Sequence, residues 1–310
     1  MRPALKLTWT TVFVASSLAL LKAQDLSPRA YLITPLHSNA VTVTYAYYSG
    51  SVLFNGAAPI TGATGTYSVP AVTYYHSFGM FGRSSNLNIA IPYAVGTFQG
   101  EVVGVDKQLY RSGLVDTTFR LSVNLRGGPV MQAREYAKWN QRTLLGVSLK
   151  VVAPTGQYDP NKLINWGSNR WAFKPEFGYS RRWKYLVLDA YAGVWLYTTN
   201  QHYFSAAGPQ PQTEKPIGSF EGHLSYDFKP RLWLSLDGNF WFGGITSLSG
   251  IDNLETRQRS SRIGVTASLP LSKHQSVKVS YADGTYVRFG GNYQTVSAAW
   301  QYSWLGRQLR

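Results

Sequence analysis

The chain has 310 residues, a formal net charge of +15 and no cysteine. The missing thiols exclude disulfide scaffolds, thiolate metal sites and cysteine nucleophiles together. Charged residues and aromatics each make up 15% of the chain, with 21 Tyr, 10 Trp and 29 Gly. So many packing groups exclude disorder, and so little charge is unlike an ordinary soluble domain.

Beyond the N-terminus no apolar run approaches the roughly 20 residues of a membrane helix. Residues 1–23 read as a secretory signal peptide, with Arg2 and Lys6 ahead of the apolar stretch 7–21. Leu21-Lys22-Ala23 before Gln24 fits the small-x-small cleavage rule only loosely. The alternative is an uncleaved anchor, for which the apolar stretch is short. Residues 24–310 contain no charge block and no Pro/Gly/Ser-rich boundary, so a single domain is expected.

From Asn39 onward the side chains alternate. Val41, Val43, Tyr45 and Tyr47 stand opposite Thr42, Thr44 and Ala46. Leu87, Ile89, Ile91 and Tyr93 oppose Asn86, Asn88 and Ala90, and Phe119, Leu121 and Val123 oppose Arg120, Ser122 and Asn124. Val147, Leu149 and Val151 oppose Ser148 and Lys150; Trp171, Phe173 and Phe177 oppose Lys174 and Glu176. Further on, Phe220, Leu224 and Tyr226 oppose Glu221 and His223, while Leu234, Leu236 and Phe240 oppose Asp237 and Asn239. Ile263 and Val265 oppose Arg262, Val277 and Val279 oppose Lys278, and Val296 and Trp300 oppose Ser297 and Gln301. Two more segments, near 67–78 and 185–199, fit the pattern less cleanly. The period of two means strands with one apolar and one polar face, about twelve in all.

A soluble sandwich also alternates, but its core would not tolerate unpaired mid-strand charges such as Arg120, Lys150, Lys174, Glu176 and Lys278. Aromatics near strand ends match the girdles of a membrane barrel, and closure is how strands cross lipid without orphaned backbone groups. The expected fold is all-β: a transmembrane antiparallel up-and-down barrel of a Gram-negative outer membrane. Short connections at 79–84, 181–184, 229–231 and 270–274 alternate with long ones at 49–66, 96–113, 154–169, 200–216 and 243–256. Short turns belong to the periplasmic side. The long connection 126–141 breaks this rule and is expected to form a helical turn or two that caps that mouth.

The polar face then lines the lumen, which makes Arg120, Lys150, Lys174, Glu176, Glu221, His223, Asp237, Arg262 and Lys278 candidate selectivity residues. An excess of cations there would favour anionic solutes; the competing reading is a set of ion pairs that holds the interior together. Glu221 and His223 share a face and could be an acid–base pair or a lumen hydrogen-bond network. The five histidines show no metal-ligand spacing. Neither His76-Ser77 nor His202 with Ser205 comes with a carboxylate or a nucleophile elbow. Basic residues are scattered singly, which fits anionic headgroups better than nucleic acid.

The stretch Pro154-Thr155-Gly156-Gln157-Tyr158-Asp159, followed by Leu163-Ile164-Asn165 and Asn169-Arg170-Trp171-Ala172-Phe173-Lys174-Pro175-Glu176, resembles the outer-membrane family described as "putative MetA-pathway of phenol degradation". Arg29-Ala30-Tyr31, Thr34-Pro35, Asn39-Ala40-Val41, Gly193-Val194-Trp195 and Pro230-Arg231 extend the resemblance from about Arg29 to Trp304. It implies a barrel associated with uptake of phenolic and other hydrophobic compounds. His37 stands where the family tends to have Gly, and Trp304 rather than the last residue is the aromatic near the end of the chain. In the loop, Tyr158, Trp166 and Trp171 are candidate stacking residues, folded inward as a lid or anchored at the headgroups.

The expected function is a channel for small aromatic or hydrophobic solutes without a cofactor. The alternatives are a lipid hydrolase and an adhesive barrel. Outer-membrane lipid, lipopolysaccharide and the assembly machinery are the expected partners besides the solute.

Overall fold

A computed structural model describes residues 26–53, 60–205 and 207–306; the signal segment expected over 1–23 lies outside the described residues. Each alternating stretch forms a strand. In chain order these are β1 (Ser38–Leu53), β2 (Ile60–Met80), β3 (Arg83–Val102), β4 (Val105–Leu114), β5 (Thr118–Arg126), β6 (Thr143–Val152), β7 (Ala172–Trp183), β8 (Leu186–Tyr197) and β9 (Asn200–Tyr203). There follow β10 (Gln210–Glu214), β11 (Ile217–Lys229), β12 (Leu232–Gly243), β13 (Thr246–Leu248), β14 (Ile251–Asn253), β15 (Gln258–Pro270), β16 (Gln275–Val287) and β17 (Gly290–Leu305).

Thirteen of them form one antiparallel sheet, closed by the pairing of β2 with β3. Because β4 and β5 pair with successive parts of β3, they are two pieces of one crossing, and the wall crosses twelve times. The remaining four, ordered β14-β13-β10-β9, form a small sheet from the outer loops. Two segments expected as long loops are mostly strand: β1 and β2 run on to Leu53 and from Ile60, and β3 turns into β4 over Val103 and Gly104. Above the lipid both faces of a hairpin meet water, so the alternation that marks a strand disappears while the backbone pairing continues.

The alternation sorts the two faces. Tyr45, Leu236, Ile263 and Val296 point outward and are exposed, as a belt facing lipid tails should be. At the short-turn end Trp183, Tyr185, Tyr226 and Phe228 add an aromatic girdle. The two less regular segments have a physical explanation. On β2 and β8 the inward faces carry Tyr67, Val69, Tyr191 and Trp195, all buried. Apolar groups stand on both faces there because the lumen itself contains something for them to pack on.

For Tyr67 and Val69 that something is the β6–β7 loop with Ile164 and Trp166, and for Trp195 it is Val152, Ile217 and Trp241. For Tyr191 it is the segment from Leu26 to His37, which folds inside the barrel at its short-turn end. Ile33 packs with Met131 and Leu144, and the Leu36 amide donates to the Met131 carbonyl at 2.8 Å. The connection 126–141 contains the expected helical turn, α1 (Ala133–Tyr136), and shares this closure. At His37 the chain turns from the lumen into β1 with φ of 60°. A left-handed backbone is the reason Gly suits this position, since Cβ crowds the following carbonyl there. His37→Gly is therefore expected to stabilise the barrel by about 1 kcal/mol, read as a higher urea midpoint; a lower midpoint would show that the imidazole's contacts outweigh the strain.

Candidate functional site

The lumen has three tiers. In the lowest, Tyr31 is buried against β6 and β7, where a side chain at Gly146 or Gly178 would collide with its ring. Its hydroxyl lies 3.0 Å from both Ser148 Oγ and Glu176 Oε1, and the Arg120 guanidinium sits 4.7 Å from its ring centre. Arg120 also donates to the Ala30 carbonyl at 3.1 Å. Arg29 pairs with Asp227 at 2.5 Å and lies 4.5 Å over Trp233. The segment is thus held by charge-assisted bonds to strands on several sides.

In the middle tier the polar faces of β5, β7, β11 and β12 join into a charge ladder. Arg120 contacts Glu176 at 3.4 Å; Lys174 Nζ lies 2.7 Å from Glu176 and 2.9 Å from Glu221. Glu221 faces His223 Nε2 at 3.6 Å, and His223 Nδ1 is 2.8 Å from Asp237. Asp237 also accepts from Ser235 at 2.6 Å and from Thr266 at 2.7 Å. Polar and charged partners satisfy one another along the lumen face, over an intervening strand for Arg120–Glu176 and Lys174–Glu221 and between adjacent strands for His223–Asp237. Of the five Lys and Arg side chains expected to favour anions, Arg120 and Lys174 are therefore neutralised in place. Lys278 faces the lumen 5.9 Å from the Trp233 ring, Lys150 lies 5.6 Å from that of Trp195, and Arg262 bonds to Thr295 and the Tyr293 carbonyl.

The upper tier is aromatic. Tyr48 stacks on Tyr67 at 4.7 Å, Tyr293 meets Tyr67 edge-on at 5.1 Å, and Phe98 flanks it at 5.9 Å. The β6–β7 loop folds onto this wall: Trp166 packs 5.5 Å from Tyr67 and 5.7 Å from Phe98, with Ile164 beside it. Asp116, in the break between β4 and β5, fixes the loop by accepting from the Gly156 and Ser168 amides at 2.9 Å each. Tyr158 donates to the His202 carbonyl at 2.9 Å and so ties the loop to β9. Arg170 forms a buried pair with Glu214 of β10. On the loop's outer turn the Lys162 ammonium, 2.8 Å away, holds the Asp159 carboxyl below its ordinary range.

The three loop candidates therefore part company. Trp166 folds inward, Tyr158 braces two loops, and Trp171 points outward, stacked on Phe173 at 6.3 Å. An inward lid formed by Trp171 is corrected accordingly: as the residue before Ala172, which faces inward at 0% exposure, it must face out.

The hydrolase arrangements do not assemble. His76 and Ser77 leave opposite faces of β2, one bound to Asn39 and the other to Pro35 and Ser38. His223 has carboxylates at both ring nitrogens. A base in a Ser-His-Asp constellation needs a nucleophilic hydroxyl on one side.

Sequence reasoning missed the inward N-terminal segment and the wall of Tyr48, Tyr67, Phe98 and Tyr293. Their one signal was irregularity: Arg29-Ala30-Tyr31 precedes any strand, and aromatics recur on the polar face of β2 and β17.

The family model described as "Putative MetA-pathway of phenol degradation" matches residues 49–298. No curated protein matches the chain. Among solved structures, an outer membrane channel from Pseudomonas putida F1 is similar at a TM-score of 0.74 and 17% identity, over 90% of this chain and 100% of that one. The β domain of the Bordetella autotransporter BrkA aligns at a TM-score of 0.50 and 11% identity, over 86% of this chain and 100% of that one. At these identities the likeness is one of fold.

Proposed function

The chain belongs to the family described as "Putative MetA-pathway of phenol degradation", and from that premise we propose an outer-membrane channel for small aromatic, phenol-like or hydrophobic compounds, working by passive or facilitated diffusion. The observation that carries this reading is the aromatic wall of Tyr48, Tyr67, Phe98 and Tyr293 inside the barrel, with Trp166 of the outer loop laid against it. Ring faces in a lumen offer an incoming aromatic solute stacking partners that a water-filled pore lacks. On this reading residues 1–23 direct export and residues 24–310 form a single barrel domain. Lipid and lipopolysaccharide surround its apolar belt, the assembly machinery inserts it, and no cofactor takes part.

The test is solute influx into liposomes carrying the refolded protein, with phenyl glucoside against a plain disaccharide, neither of which crosses lipid readily. Phenyl glucoside should enter several-fold faster, and Trp166→Ala should lower that preference by about threefold, the worth of one stacking contact. Equal rates for the two solutes, or no influx through a folded barrel, would sink the channel reading.

A further inference from the structure

We infer that Arg262 and the aromatic wall beside it form a binding site for a small aromatic carboxylate. Arg262 lies on the lumen face of β15, 4% exposed, and no carboxylate among the described residues pairs with it. Two of its nitrogens are used: Nη2 donates to the Tyr293 carbonyl at 2.6 Å and Nη1 to Thr295 at 3.3 Å. Its Nε has no partner. Nor do the hydroxyls of Tyr67 and Tyr293 or the indole N–H of Trp166, on residues that are 1%, 0% and 8% exposed.

These four orphaned groups can all donate, and they belong to one cluster. Arg262 bonds to the backbone of Tyr293; the Tyr293 ring meets Tyr67; Tyr67 meets Trp166. Buried donors without acceptors are costly, and a buried cation without an anion more so. A carboxylate supplies what is missing: one negative charge and two oxygens with several acceptor positions, matched to a guanidinium edge. The ring faces of Tyr67, Phe98 and Trp166 then select a flat aromatic body over an aliphatic one. Charge and shape point to the same ligand class.

The inference deepens the channel reading and rests on it for the site's role in solute selection, but its test does not depend on flux. Calorimetry on the full-length refolded protein in detergent compares benzoate with benzyl alcohol, acetate and cyclohexanecarboxylate. Benzoate should bind about tenfold tighter than benzyl alcohol or acetate, and several-fold tighter than cyclohexanecarboxylate. Arg262→Gln should weaken benzoate binding about tenfold and Tyr293→Phe about threefold. Lys107→Gln, an equal charge change on the exposed outer hairpin, should leave it unchanged.

Three results would overturn the site: no benzoate binding by the folded wild type, the donors then being served by water; undiminished binding in folded Arg262→Gln; or an equal loss in Lys107→Gln. Should Arg262→Gln fail to fold, benzyl alcohol binding as tightly as benzoate in the wild type would be decisive on its own. Phenyl glucoside is uncharged, so its influx tests the channel separately from this site.

Discussion

Tyr31→Ala is expected to raise the conductance of the barrel several-fold and to lower its stability by about 3–5 kcal/mol, the usual cost of deleting a buried aromatic ring. The ring fills the space above Gly146 and Gly178, its hydroxyl contacts Ser148 and Glu176, and Arg120 lies over its face. Removing it empties the centre of the lower tier and frees the segment that Arg29 and Ile33 otherwise hold. Planar-bilayer conductance and urea unfolding give the two readouts. Gly178→Ala provides an independent route, because its Cβ would sit 2.1 Å from the Tyr31 ring and must drive the ring away. If both variants fold and conduct as the wild type does, the N-terminal segment is not the constriction.

Lys174→Met should destabilise the barrel by about 3–5 kcal/mol, as expected when one partner of a buried ion pair is removed. The ammonium lies between Glu176 at 2.7 Å and Glu221 at 2.9 Å, on side chains 8% and 3% exposed. Without it two carboxylates of like charge face each other in a poorly solvated lumen. The double variant Lys174→Met with Glu221→Gln removes part of that repulsion and should recover a substantial share of the urea midpoint. If the single and double variants unfold together, the cost lies in packing against Trp195, whose ring is 5.7 Å from Nζ, rather than in charge.

Both predictions turn on residues read with unequal ease from the sequence. Lys174, Glu221, His223 and Asp237 were legible because a charge in mid-strand, flanked by apolar neighbours, must point to the wet face of a membrane barrel. Their pairing was not: Lys174 meets Glu221 through the register of β7 and β11 with β8 between them, and these two strands lie far apart along the chain, whereas His223 meets Asp237 across the β11–β12 hairpin. Arg262 looked like one more lumen cation. Its lack of a carboxylate partner and its place beside Tyr293 follow from the closure of β15, β16 and β17 against β1.

The sequence by itself determined the twelve crossings of the wall and their inward and outward faces, because each is a local consequence of alternation. Tertiary structure alone decided what fills the barrel. The segment from Leu26 to His37 has no period to read, and Tyr31 finds its place only after Gly146 and Gly178, from strands paired more than a hundred residues later, leave room for it. Trp166 and Trp171 are similar residues five positions apart in one loop, yet one covers the aromatic wall and the other faces out. The physical reason is the same in both cases. A side chain's face on a strand follows from its neighbours in sequence, whereas its partner across a lumen follows from how the whole sheet closes.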